Sequence, residues 1–202
     1  MMETEGFVEI EDKAAKAAEE EEVDDEDWSD LERFQAFARS QHPLRRLVCI
    51  RSVPDLLSSL ALCDALDSVL PLLEEVVQDE ESSVRDALAA NLAPVVRSLA
   101  ERSSDAQVSQ MVSTMWRVAS VLLKDKDQQV RAVAEEGVVE FVAVIPRELA
   151  VNPILRDVLE LAQEDVEEHR MTAMKLMGEI SFVLGQDTVK TSVCPQVVAL
   201  AG

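Results

Sequence analysis

Residues 69–85 read VLPLLEEVVQDEESSVR. With Leu66 just upstream, Val69, Leu70, Leu73, Val76 and Val77 fall at steps of 0, 3, 4, 7, 10 and 11. That recurrence places all six on one face of a helix. Asp79, Glu80, Glu81, Ser82 and Ser83 then interrupt the apolar run. Val84 and Arg85 open a second apolar face that continues through Leu88, Leu92, Val95 and Leu99. The stretch predicts two helices joined by a short charged turn. Pro71 should kink the first helix, because proline removes one hydrogen bond and crowds the preceding turn.

The phrase recurs. Residues 124–131 read KDKDQQVR and residues 164–170 read EDVEEHR. In each case an acid precedes an arginine by six residues: Asp79 and Arg85, Asp125 and Arg131, Glu164 and Arg170. With Arg45 as the marker of an earlier unit, Arg45, Arg85, Arg131 and Arg170 are spaced by 40, 46 and 39 residues. Those periods suit a two-helix repeat. Helical faces flank each turn: Met111, Met115, Val118 and Leu122 before the second, and Val130, Ala134, Val138, Phe141 and Ile145 after it. Ile154, Val158 and Leu161 precede the third, and Ala173, Met177, Ile180 and Leu184 follow it. The first unit is less regular, with Leu31, Phe34 and Phe37 on one helix, Leu44, Val48 and Ser52 at the start of the other, and Arg39 in place of the acid.

The predicted fold is all-α, a solenoid of antiparallel helix pairs. Residues 1–28 form an acidic arm. Residues 29–202 hold about four repeats plus the first helix of a fifth, in which Pro195 takes the place of Pro71. Each acid and arginine are placed to meet across their turn or to reach the neighbouring repeat. Such contacts form a structural ladder of Asp79, Arg85, Asp125, Arg131, Glu164 and Arg170. The variable turn residues are the better partner-binding candidates: Glu80, Glu81, Ser82 and Ser83, then Lys126, Asp127, Gln128 and Gln129, then Glu167, Glu168 and His169. Much of this ridge is acidic, so a basic face is its natural complement.

Composition agrees with helices. Aromatics are 3% and Tyr is absent, whereas sheets draw on aromatic and β-branched residues. The net charge of −21 is concentrated at the start, where residues 1–32 hold 15 acids and two lysines. A run this acidic predicts a disordered arm, with Trp28 as the first residue packed on the folded part. It also argues against nucleic acid as a partner, since phosphate contacts need Lys and Arg. The three cysteines, Cys49, Cys63 and Cys194, have no CxxC spacing, so reduced and mostly buried thiols are expected rather than a disulfide framework or a zinc site. No apolar run has the length of a membrane span or the form of a signal peptide, which points to cytoplasm or nucleus.

Catalytic patterns are missing. His42 and His169 are the only histidines and belong to different repeats. Neither has a metal-ligand partner at helical spacing, and GxSxG, GxGxxG and GxxxxGK[ST] are absent. The expected function is non-catalytic protein binding on a surface, with no cofactor.

Helix pairs with an acid before the turn and Val-Arg opening the second helix resemble the HEAT repeat. Residues 168–202, EHRMTAMKLMGEISFVLGQDTVKTSVCPQVVALAG, go further. His-Arg-Met-Thr, Gly-Gln-Asp, Pro-x-Val and Ala-Gly look like the HEAT scaffold and regulatory subunits of the protein phosphatase 2A/4 group. The acidic N-terminus, LERFQAFA and VRDALAANLAPVV are similar to that group too, so the resemblance covers about residues 30–202. It implies a non-enzymatic subunit that holds a Ser/Thr phosphatase catalytic subunit, other regulatory subunits or substrates through the turns within repeats. A HEAT transport receptor or adaptor for basic cargo is the alternative. The family has many more repeats, and Val197, Val198 and Leu200 do not look like a polar cap. The resemblance therefore implies a fragment of a longer protein that self-associates through its C-terminal end.

Overall fold

A computed structural model describes residues 27–185 and positions 190, 191, 194, 195 and 198. The expectations for residues 1–26 and for most of the fifth unit lie outside the described residues. Between Asp30 and Leu184 the chain forms ten helices. They are α1 (Asp30–Phe37), α2 (Pro43–Arg51), α3 (Val53–Ser59), α4 (Leu62–Asp64, Ala65–Val69 and Leu70–Val76 in succession) and α5 (Ser82–Ala90). There follow α6 (Leu92–Ala100), α7 (Asp105–Leu122), α8 (Gln128–Val144), α9 (Arg147–Leu149, Ala150–Ile154 and Leu155–Leu161 in succession) and α10 (Glu167–Leu184). No strand occurs among the described residues.

The helices form four pairs: α1 with α2–α3, α4 with α5–α6, α7 with α8, and α9 with α10. Every pair closes through a turn of the same length, at residues 38–42, 77–81, 123–127 and 162–166. The second members stack in order, α2 on α5, α3 on α6, α8 on α5 and α6, and α10 on α8. Among the first members, α4 packs on α7, and Trp116 Nε1 of α7 donates to Asp157 Oδ2 of α9 at 2.7 Å. One apolar core runs through the stack from Phe34 to Leu184.

Proline shapes the long helices. In α4 the residues before Pro71 wind as a π-turn, and the Leu70 N–H reaches back five residues to the Ala65 carbonyl. In α9 the π-turn contains Pro153, and the Leu155 N–H reaches the Ala150 carbonyl. A wider turn relieves the clash between a proline ring and the carbonyl four residues before it. Thus Pro71 does disturb its helix, by local rewinding. The break between α2 and α3 has the same origin. Pro54 offers no N–H to the Ile50 carbonyl, and Asn91 Nδ2, at the α5–α6 break of the next pair, donates to that carbonyl at 2.5 Å. Asn91 is buried, and its bond joins the breaks of two successive pairs.

Gly137 of α8 lies against the same α5–α6 break. A Cβ there would sit 2.8 Å from the Ala89 carbonyl oxygen and 3.4 Å from Leu92 Cδ1. Backbone cannot swing aside as a flexible side chain can. Gly137→Ala is therefore expected to destabilise the protein by about 1–3 kcal/mol, although alanine favours an isolated helix. Urea unfolding checks this, and a stabilised variant would contradict the close approach of α8 to α5. Gly185, at φ 79, ends α10 in a conformation that favours glycine.

Two sequence expectations need correction. In the first unit the buried face passes through Leu47, Ile50, Val53 and Leu57, not through Leu44, Val48 and Ser52, of which Ser52 is exposed. The cysteines are not mostly buried: Cys49 is buried, while Cys63 and Cys194 are exposed, and all three are free. Burial pushes the Cys49 thiol up to about 12. Labelling of the native protein at pH 8 should therefore modify Cys63 and Cys194 and spare Cys49 until unfolding, because the thiolate is the reactive form. Equal labelling of all three, read by mass spectrometry, would contradict this. Trp28 is half-buried, ahead of a capping box in which Ser29 N–H donates to Glu32 Oε2 at 2.9 Å.

Candidate functional site

The turns form a ridge whose organising groups are arginines. Six residues after a fixed turn position, each arginine donates from Nη1 to that position's carbonyl: Arg46 to Ser40 at 2.8 Å, Arg85 to Asp79 at 2.6 Å, Arg131 to Asp125 at 2.7 Å and Arg170 to Glu164 at 2.9 Å. The six-residue spacing thus fixes a side chain to a backbone carbonyl. The acidic side chain serves another contact, to the arginine of the preceding pair. Arg46 grips Asp79 through Nε at 2.6 Å and Nη2 at 2.8 Å. Arg85 grips Asp125 through Nε at 2.6 Å and Nη2 at 2.9 Å. Arg46 and Arg85 therefore each close their own turn and reach the next; across its own turn an arginine meets a backbone carbonyl and not the acid's carboxylate, which serves the neighbouring pair.

Arg46, not Arg45, is the first rung. Arg45 is buried with its guanidinium over the Phe37 ring, 5.4 Å from the centroid. The corrected spacings, Arg46 to Arg85 to Arg131 to Arg170, are 39, 46 and 39 residues. The third rung is built differently. Glu164 takes Lys124 of the preceding pair and, at 2.7 Å, His169 Nδ1 of its own.

The first two rungs are nearly dry, with side-chain exposures of 15% and 6% for Arg46 and Asp79 and of 5% and 6% for Arg85 and Asp125. Burial works against both carboxylates. At Asp79 the Arg46 fork and the Glu81 N–H outweigh it, and at Asp125 the Arg85 fork and the Asp127 N–H do so, leaving both groups below the ordinary carboxylate range. A carboxylate with a depressed folded pKa contributes stability that is present above its unfolded value, near 3.9, and lost as pH falls through the folded value. Urea midpoints should hold their ladder contribution from neutral pH down to about 4 and lose it below. Asp79→Asn/Asp125→Asn should flatten that acid slope. An unchanged slope would contradict the assignment.

Three grooves cross the ridge, one between each two successive pairs. The first, about 450 Å³, is walled by Arg39, Gln41, Glu75 and Glu80, with Arg46 and Asp79 among its lining. Arg39 Nη2 lies 2.8 Å from Glu75 Oε1. The second, about 360 Å³, has Gln78 and Glu80 on one side, Lys124 and Lys126 on the other, and the Arg85–Asp125 pair within it. The third, about 220 Å³, is lined by Trp116, Ser120, Lys124, Asp157, Glu160 and Glu164.

Of the partner-binding candidates, Glu80 and Lys126 line these grooves. Glu81, Ser83, Gln128, Gln129, Glu167 and Glu168 are exposed beside the turns, and Ser82 is half-buried. Two candidates hold structure instead. Asp127 caps α8 by accepting the Gln129 N–H at 2.8 Å, and His169 is bound to Glu164. Sequence reasoning put Arg39 in the place of the acid, a position that Ser40 holds, and it missed Arg46, Glu75, Gln78 and Trp116, which lie outside the repeated phrase. The groove charges alternate in sign and are not simply acidic. Among the described residues no group of three or more His, Cys, Asp or Glu is arranged to hold a metal ion, and no helix is long and apolar enough to cross a membrane.

No family model matches the chain, and no curated protein does. Among solved structures, it is similar to the crystal structure of an engineered protein from the Northeast Structural Genomics Consortium. The TM-score is 0.50 at 16% identity, over 75% of this chain and 62% of that one. At that identity the likeness concerns the fold alone.

Proposed function

We propose that this protein is a non-catalytic HEAT-repeat scaffold or regulatory subunit of a Ser/Thr phosphatase of the 2A/4 type, binding the catalytic subunit, a further regulatory subunit or a substrate along its ridge of turns. The observation that carries this reading is the arginine relay. Four turns of equal length are each closed by an arginine on a carbonyl, and two of those arginines grip the next turn's aspartate. A relay of this kind fixes the relative placement of successive turns, as a docking surface requires. The HEAT-like phrases around these residues and the phosphatase-subunit-like stretch at residues 168–202 supply the partner class. Cytoplasm or nucleus is the compartment in which it would act.

Alternating charge in the grooves favours a folded partner of mixed surface charge over a uniformly basic cargo. Stacked repeats present long composite surfaces without any one pair carrying the whole site. The test is affinity capture of the protein from its own cells, with mass spectrometry of what accompanies it. A near-stoichiometric 2A-, 4- or 6-type catalytic subunit is expected. Import receptors or basic cargo in its place would overturn the reading in favour of an adaptor.

A further inference from the structure

A fourth groove differs from those on the ridge. It has a volume of about 420 Å³ and is lined only by the first helix pair. Phe34 and Phe37 of α1 face Val48 and Leu56 of α2 and α3 across it, with Asp30 and Arg33 on its rim. The ridge grooves hold charged pairs, whereas the walls here are mainly apolar. An apolar depression of this size is the kind of surface that a protein covers.

The chain supplies a candidate cover. Twenty-six residues precede Asp27, and Asp27 lies three positions before the rim residue Asp30. Within them, Phe7, Val8 and Ile10 form the one compact cluster of large apolar side chains past the initial methionines, in the phrase GFVEI. Residues 11–26 link Ile10 to Asp27. A linker of that length spans roughly 50 Å at full stretch. The groove begins within one helical turn of its anchor, so reach is no obstacle. A tether that can span the distance makes the contact intramolecular, which favours contacts too weak to form between separate molecules.

We propose that Phe7, Val8 and Ile10 seat in the groove between α1 and α2–α3 of their own chain. The rim carries Asp30, Arg33 and Asp55, of mixed sign, so apolar burial and not charge drives the contact. Docking is accordingly insensitive to salt.

Hydrogen exchange on the full chain tests this against Phe7→Ser/Ile10→Ser, which leaves the acidic linker intact. Amides of residues 34–37 and 48–56 are expected to exchange several-fold faster in the variant, with residues 128–144 unchanged. A synthetic peptide of residues 1–18, added in excess to the variant, should restore protection, and 0.5 M salt should not remove it. Equal exchange at residues 34–37 and 48–56 in both proteins would overturn the proposal and leave the groove to another protein. Protection that rises with protein concentration would also overturn it, by assigning the cover to a second copy.

Discussion

Asp125→Ala is expected to lower the stability of this protein by about 3–5 kcal/mol, the usual cost of removing one partner from a buried ion pair. Arg85 and Asp125 are 5% and 6% exposed and joined by two hydrogen bonds. Truncating the aspartate leaves a desolvated guanidinium whose Nη1 still serves the Asp79 and Glu80 carbonyls. It also frees the Asp127 N–H, which donates to Asp125 Oδ1 at 2.8 Å. Replacing both partners by apolar residues, Arg85→Met with Asp125→Leu, should cost less than Asp125→Ala alone, because no charge is then stranded. The third rung supplies the contrast. Lys124 and Glu164 are 43% and 33% exposed, so a double-mutant cycle there should return only about 0–1 kcal/mol of coupling. Urea unfolding of the variants measures all of this. Equal coupling at both rungs would contradict the distinction drawn from burial.

Phe141→Ala should cost about 3–5 kcal/mol, while the same truncation at Phe182 should change stability by no more than about 0.5 kcal/mol. Phe141 is 1% exposed and is among the largest fully buried side chains. It lies on α8, the helix that touches α5, α6, α7 and α10. A cavity there loosens the joint between the second pair and the fourth. Phe182 is on α10 and is 90% exposed, so its ring has little packing to lose. Similar losses at the two phenylalanines would show that the stack is arranged differently.

Much of this architecture is legible in the sequence because helix periodicity is local. The faces through Val84, Leu88 and Leu92, through Met111 and Met115, and through Val130, Ala134 and Val138 are all buried as their spacing predicts. The charged phrases do mark the turns. The first unit misled because its turn lacks the acid and its helix opens with two adjacent arginines. The run Leu47, Ile50, Val53 and Leu57 carries the correct phase and would have selected Arg46. The destination of each carboxylate is not local. Arg46 meets Asp79 across 33 residues and Arg85 meets Asp125 across 40, and only the stacking of one pair on the next decides that contact. Pro54 and Asn91 behave likewise: proline shows where a carbonyl loses its donor, while the donor that replaces it comes from another repeat. Of the ridge candidates, Glu80, Glu81, Lys126 and Asp127 lie in the turns, while Ser82, Ser83, Gln128, Gln129, Glu167, Glu168 and His169 open the helices that follow. Their roles depended on hydrogen bonds that spacing does not encode, which is why Asp127 and His169 prove to be structural.

The most direct test of the proposed function is the binding of the purified protein to purified 2A- and 4-type catalytic subunits, measured by calorimetry beside Glu80→Lys/Lys126→Glu. Both residues are exposed in the middle groove, and neither side chain belongs to the relay, so the variant should unfold at the same temperature as the parent. The account predicts a complex with Kd of order micromolar or tighter, weakened at least about tenfold by the double substitution, equivalent to about 1.4 kcal/mol. Absence of binding to either catalytic subunit, or binding that the substitutions leave unchanged, would contradict it.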